Sequence, residues 1–281
     1  MHLVSVFEQT IGDLENALQV GHVATSPLAV AHPSQTIAAV RAWAAPAAIN
    51  NVPVQRDGHI VAVVENVNGD VAPSPNGIPP RAPSDGQAVK AVARPLAGDM
   101  LIEARMPLGQ LMAELVQPPH YRLVVNGGRM DSIVTPSDLG KLPMRVLAYT
   151  ALTHLEATMI QAIRRIHPTD EDAVARLNEG AQAQVLRDLD RMHAKKLEPS
   201  LLEVTNLQQK GLILYAAGIY RGDRTAVADE FDDLYEKLRN PLMHAASFVD
   251  DSLEALARLK RQLEVIRQRT AQAATALGSD S

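Results

Sequence analysis

Twice in the first half of this 281-residue chain the same signals recur in the same order: helix, strand, tight turn, strand. Such an internal repeat restricts the fold more than any single motif can. In the first copy Pro33-Ser34-Gln35-Thr36 opens a helix with Ser34 as its cap, and Ile37, Val40 and Ala44 fall on one face. A strand at Asn51-Val52-Pro53-Val54 then turns through Arg56-Asp57-Gly58-His59 into Ile60-Val61-Ala62-Val63-Val64. In the second copy Pro107 suits a first helical turn, and Leu108, Leu111, Met112 and Leu115 form an i, i+3, i+4, i+7 stripe. Tyr121-Arg122-Leu123-Val124-Val125, the turn Asn126-Gly127-Gly128 and the run from Met130 to Thr135 complete it. An Asn-Gly step between two β-rich runs is a strong hairpin signal.

Residues 66–97 separate the two copies and are rich in proline and glycine, as in Pro73-Ser74-Pro75-Asn76-Gly77-Ile78-Pro79-Pro80. Neither a helix nor a central strand survives that composition, and the stretch reads as an insertion or linker. Beyond Leu142 strand signals stop and long helices are expected: Pro143 to Ile166, Thr169 to Met192, Leu201 to Tyr220, Thr225 to Arg239, and a last one capped by Asp251. In the last, Glu254 follows the cap by three residues, and Leu256, Leu259, Leu263 and Ile266 form a seam. The fold class is therefore α+β and multidomain: a first repeat with an N-terminal helix in 1–66, a linker in 67–97, a second repeat in 98–142 and an all-α bundle in 143–281.

The chain has no cysteine, which excludes disulfides, thiolate metal sites and cysteine nucleophiles. Its beginning carries no basic stretch followed by a long apolar one, and the apolar run Gly211 to Tyr220 is too short to cross a bilayer, so a cytoplasmic protein without a membrane partner is expected. A net charge of -5 argues against constitutive, non-specific binding of nucleic acid. The histidines are scattered without metal spacing, and no metal is expected. Asp229, Glu230, Asp232, Asp233 and Glu236 read as a solvated helix face, and Arg258, Lys260, Arg261, Arg267 and Arg269 as the exterior of the last helix.

The paired units resemble CBS repeats, which come in twos and often bind adenine nucleotides between them. The resemblance is carried by Val52-Pro53-Val54-x-x-Asp57-Gly58-x-Ile60-Val61-Ala62-Val63, by Arg122-Leu123-Val124-Val125, and by Ile133-Val134-Thr135-Pro136-Ser137-Asp138-Leu139. It implies AMP, ADP or ATP as a regulatory ligand, with Asp138 accepting ribose hydroxyls and Thr135 donating to phosphate. On backbone grounds alone the same two residues would cap the helix that follows. The first repeat lacks the pattern, having Glu65-Asn66-Val67-Asn68 after Val64.

Leu234-Tyr235-Glu236-Lys237-Leu238-Arg239-Asn240-Pro241-Leu242-Met243-His244 resembles the HEPN signature, placed before the last helix of a bundle. That resemblance implies a metal-independent ribonuclease acting as a homodimer. His244 would be the general acid or base, Arg239 the clamp on phosphate and Asn240 an orienting partner. In a straight helix Arg239 and His244 would point about 140° apart, and Pro241 requires a kink between them. The alternative is a non-catalytic, nucleotide-regulated module for dimerisation or for binding a protein partner, with the helix from Pro143 as lever.

Overall fold

The computed structural model describes residues 12–14, 16–69, 83–243, 249 and 252–278. It divides into two compact units, one of residues 18–143 with 249–256, the other comprising the remaining residues.

The first unit is mixed α/β and holds two three-stranded sheets. In the first, β1 (Val52–Arg56) and β2 (His59–Val64) form a hairpin, and β3 (Arg94–Pro95) adds antiparallel to β2. In the second, β4 (Leu101–Glu103) lies parallel to β5 (Arg122–Asn126), which forms a hairpin with β6 (Arg129–Val134). The hairpins superpose in sequence with a constant offset of 70: Val52↔Val64 becomes Arg122↔Val134, and Arg56↔His59 becomes Asn126↔Arg129. Even the bulge is repeated, between Val54 and Gln55 and between Val124 and Val125. Both loops are two residues with positive φ, Asp57 and Gly58 in one, Gly127 and Gly128 in the other, as the turn matched to strand twist demands. The second turn is thus Gly-Gly, with Asn126 still in the strand, rather than the expected Asn-Gly.

Each hairpin is preceded by a helix, α1 (Ile37–Ala44) and α2 (Leu108–Val116). Ile37, Val40 and Ala44 of α1 are buried against Val52, Val54 and Val64, and α2 buries Leu108, Leu111, Met112 and Leu115. Burial of each large aliphatic side chain contributes about 1.5–3 kcal/mol. Thr36, not Ser34, caps α1, accepting from the Ala39 amide at 3.3 Å.

Residues 83–97, the end of the stretch read as an insertion or linker, are bonded to the first repeat. Ile37 N–H donates to the Gln87 carbonyl and Val89 N–H to that of Gln35, both at 2.9 Å, and a short helix at Val89–Val92 leads into β3. Arg41 of α1 holds this segment through the Pro83 carbonyl at 2.9 Å and the Asp85 carboxylate. The most proline-rich part, 70–82, lies outside the described residues.

The second unit is helical: α3 (Leu142–Ile166, beginning in the first unit), α4 (Asp170–Val174), α5 (Glu179–Ala194), α6 (Leu201–Val204), α7 (Leu207–Ala216), α8 (Arg224–Asp233), a π-helical turn at Leu234–Arg239, α9 (Asn240–Met243) and α10 (Leu253–Gly278, also beginning in the first unit). Two of the expected long helices are each broken in two. Asn178 caps α5 by accepting from Ala181 N–H at 2.9 Å, and Asn206 caps α7 by accepting from Gln209 N–H at 2.8 Å. Asp251 lies outside the described residues; Ser252 caps α10, accepting from Ala255 N–H at 3.0 Å. Leu147, Leu152, Leu155, Met159 and Ile163 are buried along α3, and Leu256, Leu259, Leu263 and Ile266 along α10.

Two surface expectations are corrected. Arg269 is only 5% exposed, its guanidinium donating to Glu230 at 2.5 and 3.0 Å and lying over the Tyr220 ring. Asp233 accepts from Gln262 at 2.8 Å. Part of the acidic run therefore fastens α10 instead of facing water.

Candidate functional site

β6 delivers the chain to Thr135, still extended, and Pro136 starts a 3-10 turn through Gly140 that places Asp138 three residues on. Asp138 is 5% exposed, and its carboxylate is the centre of a polar cluster. One oxygen accepts from the Thr135 amide at 2.7 Å and the Thr135 hydroxyl at 3.1 Å. The other accepts from the Thr25 hydroxyl at 2.8 Å and pairs with Lys141 Nζ at 2.7 Å. Lys141 also donates to the Val23 carbonyl at 2.6 Å and the Thr25 hydroxyl at 3.0 Å, and Ser137 is linked to Thr135 at 2.9 Å.

Thr25 arrives by pairing with the edge of β6: its amide donates to the Ile133 carbonyl at 2.7 Å and its carbonyl accepts from Ile133 N–H at 3.1 Å. β3 pairs in the same way with the first repeat, where Arg94 faces Val63, the residue 70 positions before Ile133. A buried carboxylate thus lies under two hydroxyls and an exposed ammonium, groups able to hold a diol and an anion side by side. Thr135 and Asp138, the residues expected to act together, are brought together. The capping interaction is real as well, since Asp138 accepts from the Thr135 amide.

Thr25, Lys141 and the Val23 carbonyl were not read from the sequence. Thr25 lies 113 positions from Asp138, and only the strand pairing unites them. Lys141 follows Asp138 by three residues, a spacing that could have flagged it.

At the matching place in the first repeat, Glu65 stands for Thr135 and Asn68 for Asp138, by the same offset. Glu65 accepts from Arg94 at 3.2 Å and from the Tyr121 hydroxyl at 2.9 Å, and Arg94 also pairs with Asp99 at 2.9 Å. Burial and the Glu65 charge push the Tyr121 phenol well above the usual tyrosine range. Asn68 donates to the Ile49 carbonyl at 3.1 Å. The Glu65 carboxylate of this corner is thus engaged within the unit, while Asn68 Oδ1 is buried without a hydrogen-bond partner among the described residues.

In the helical unit, the turn from Leu234 to Arg239 is π-helical, with Asn240 N–H donating to the Tyr235 carbonyl. Widened turns of this kind are frequent at functional sites. Arg145 donates to the carbonyls of Pro241 and Leu242 at 3.0 and 2.9 Å. The Arg239 guanidinium lies 5.2 Å from the Tyr235 ring centroid, and Asn240 donates to Glu236 at 3.4 Å. His244 lies outside the described residues, so its relation to Arg239 is not part of the geometry. Among the described residues no group of three or more acidic or histidine side chains is placed to hold a metal, and no helix is long and apolar enough to cross a membrane.

No family model matches the chain, and no curated protein does. Among solved structures, the CBS domain of a bacterial CNNM/CorC family Mg2+ transporter in complex with ATP matches 47% of this chain and 91% of its own, at 21% identity and TM-score 0.35. The CBS-pair protein CBSX2 of Arabidopsis thaliana matches 46% of this chain and 95% of its own, at 17% identity and TM-score 0.34. The CBS domain of a membrane protein from Sphaerobacter thermophilus matches 48% of this chain and 93% of its own, at 18% identity and TM-score 0.35. These neighbours are CBS modules, and each likeness spans about half of this chain.

Proposed function

We propose that the α/β unit is a CBS-type sensor of AMP, ADP or ATP, that it binds the nucleotide at its second repeat, 98–142, and that the helical unit carries the output. The observation that carries this reading is the convergence of Thr25, Thr135 and Lys141 on the buried carboxylate of Asp138. At the counterpart corner Glu65 replaces the hydroxyl residue and is already engaged by Arg94 and Tyr121, which favours one nucleotide per chain. Ribose hydroxyls replace the Thr25 hydroxyl and Lys141 at Asp138, and the released ammonium turns to phosphate. Lys141 thus serves as a placeholder that keeps the carboxylate paired while the site is empty.

For the nucleotide to regulate anything, it must bind two states of the protein with different affinity. Thermal unfolding in a panel of AMP, ADP, ATP and GTP tests the reading. A bound adenine nucleotide at a hundredfold excess over Kd stabilises by about 2.7 kcal/mol. No stabilisation by any adenine nucleotide would remove the sensor.

Two outputs remain on the HEPN resemblance. In the first, Arg239, Asn240 and His244 form a metal-independent ribonuclease site shared by a homodimer, cleaving RNA through its 2′-hydroxyl. In the second, the unit dimerises or binds a protein partner without chemistry. The second is favoured by Asn240, which is engaged by Glu236 of its own protomer. Cleavage of mixed RNA in chelator, lost in His244→Ala, would decide for the first; intact RNA decides for the second.

A further inference from the structure

The helical unit contains a cleft of about 490 Å³ whose walls come from α3, α5, the α6–α7 junction and the π-helical turn. Its lining carries three carboxylates, Glu156, Asp188 and Glu203, and three cations, Arg191, Lys195 and Arg239, and Lys210 beneath adds a fourth cation. Glu156 is paired with Lys210 at 2.8 Å, Asp188 with Arg191 at 2.9 Å, and Glu203 accepts from the Ser200 amide at 2.6 Å. Arg239 and Lys195 also line the cleft, and among the described residues neither has a carboxylate within ion-pair distance. The Arg239 guanidinium carbon lies 5.2 Å from the Tyr235 ring centroid, and a guanidinium presents paired N–H donors that suit a planar or tetrahedral oxyanion. Met192, Val204 and Leu207 supply an apolar wall beside these cations.

We infer that this cleft binds a small phosphomonoester, its phosphate held between Arg239 and Lys195 and its organic part against Met192 and Leu207. Two cations match a phosphomonoester, which carries about -1.5 to -2 at pH 7, better than the single charge of a phosphodiester. A cleft of this size within one protomer suits a small molecule rather than a polymer. Lys210 lies beneath, wholly buried, donating to Glu156 at 2.8 Å and to the Thr205 carbonyl. Burial holds its ammonium below the usual lysine range, and the nearby Arg239 charge depresses it further. An anion in the cleft relieves that repulsion. The site is separate from the nucleotide corner of the α/β unit and does not depend on it.

The test follows the Arg239 side-chain Nε–H resonance of the full chain while glycerol phosphate is added at constant ionic strength, with inorganic phosphate and a short single-stranded RNA in parallel. The expected result is a saturable shift with glycerol phosphate and inorganic phosphate, weakening as pH falls below about 6, where the second phosphate proton returns. Lys195→Gln, an exposed substitution that leaves the fold intact, raises the glycerol phosphate Kd by about fivefold or more, and Asp138→Ala leaves it unchanged. No saturable shift, an unchanged Kd in Lys195→Gln, or a response to RNA alone would overturn the inference. Loss of the shift in Asp138→Ala would do so too, by assigning the effect to the other unit.

Discussion

The hydroxyl of Thr25 donates to the carboxylate of Asp138 at 2.8 Å across 113 positions of sequence. That bond closes the edge of the second sheet onto the turn that follows it, so the same contact serves folding and the proposed site. Thr25→Val removes one donor from a carboxylate that keeps Lys141 and Thr135. We expect a cost of about 0.5–1.5 kcal/mol in urea unfolding, and tighter nucleotide binding, because the ribose no longer has to displace that hydroxyl from Asp138. Equal affinity in the variant would separate Thr25 from the site.

Arg122 is 3% exposed and donates to the carbonyls of Glu114, Gln117, Pro119 and Tyr121. The Glu114 carbonyl also accepts from the Gln117 amide, at 3.3 Å. Arg122→Met keeps the side-chain bulk and takes the guanidinium from all four carbonyls, at an expected cost of about 3 kcal/mol or more. A loss below about 1 kcal/mol in urea unfolding would mean that water replaces the guanidinium.

A Cβ at Gly211 would stand 2.4 Å from the Phe231 ring, so α7 and α8 touch there only because residue 211 has no side chain. Gly211→Ala should destabilise by about 1–3 kcal/mol, despite alanine's better helix propensity. Adding Phe231→Ala relieves the clash, so the double variant should be more stable than the sum of single effects predicts. Strict additivity would contradict the contact.

Burial and the Glu65 charge raise the ionisation of Tyr121, and burial raises that of Tyr220 against the opposing charge of Arg269. Both phenols stay protonated in the folded chain at a pH where the unfolded chain has released them. Their contribution to stability is therefore complete below about pH 10 and is lost as pH rises above it. In a near-ultraviolet alkaline titration, Tyr121 and Tyr220 should ionise only as the chain unfolds. Tyr121→Phe and Tyr220→Phe should each remove one tyrosine's worth of that late absorbance; an early loss would show the ring open to water.

The hairpins were legible because alternating apolar residues and a two-residue turn are local signals, and the offset between Val54 and Val124 made them visible twice. Thr135 and Asp138 were legible for the same reason, being three residues apart. Thr25 was not, since its role depends on an edge pairing with Ile133 that no local pattern encodes. The joined reading of 169–192 and 201–220 failed where Asn178 and Asn206 turn side chains back onto helix amides, a choice that polar residues in a helix-forming stretch leave open. Arg269 was misread because a cation on an amphipathic helix looks solvated until its partner, Glu230, is placed by another helix. The π-helical turn at Arg239 had only Pro241 to announce it.

Calorimetric titration of AMP into the full chain and into Asp138→Ala, side by side, tests the central claim most directly. The account predicts one nucleotide per chain in the parent and binding weaker by about a hundredfold in the variant, the loss of two hydrogen bonds to a charged group. Equal affinity in the two proteins, or two equivalent sites in the parent, would contradict it.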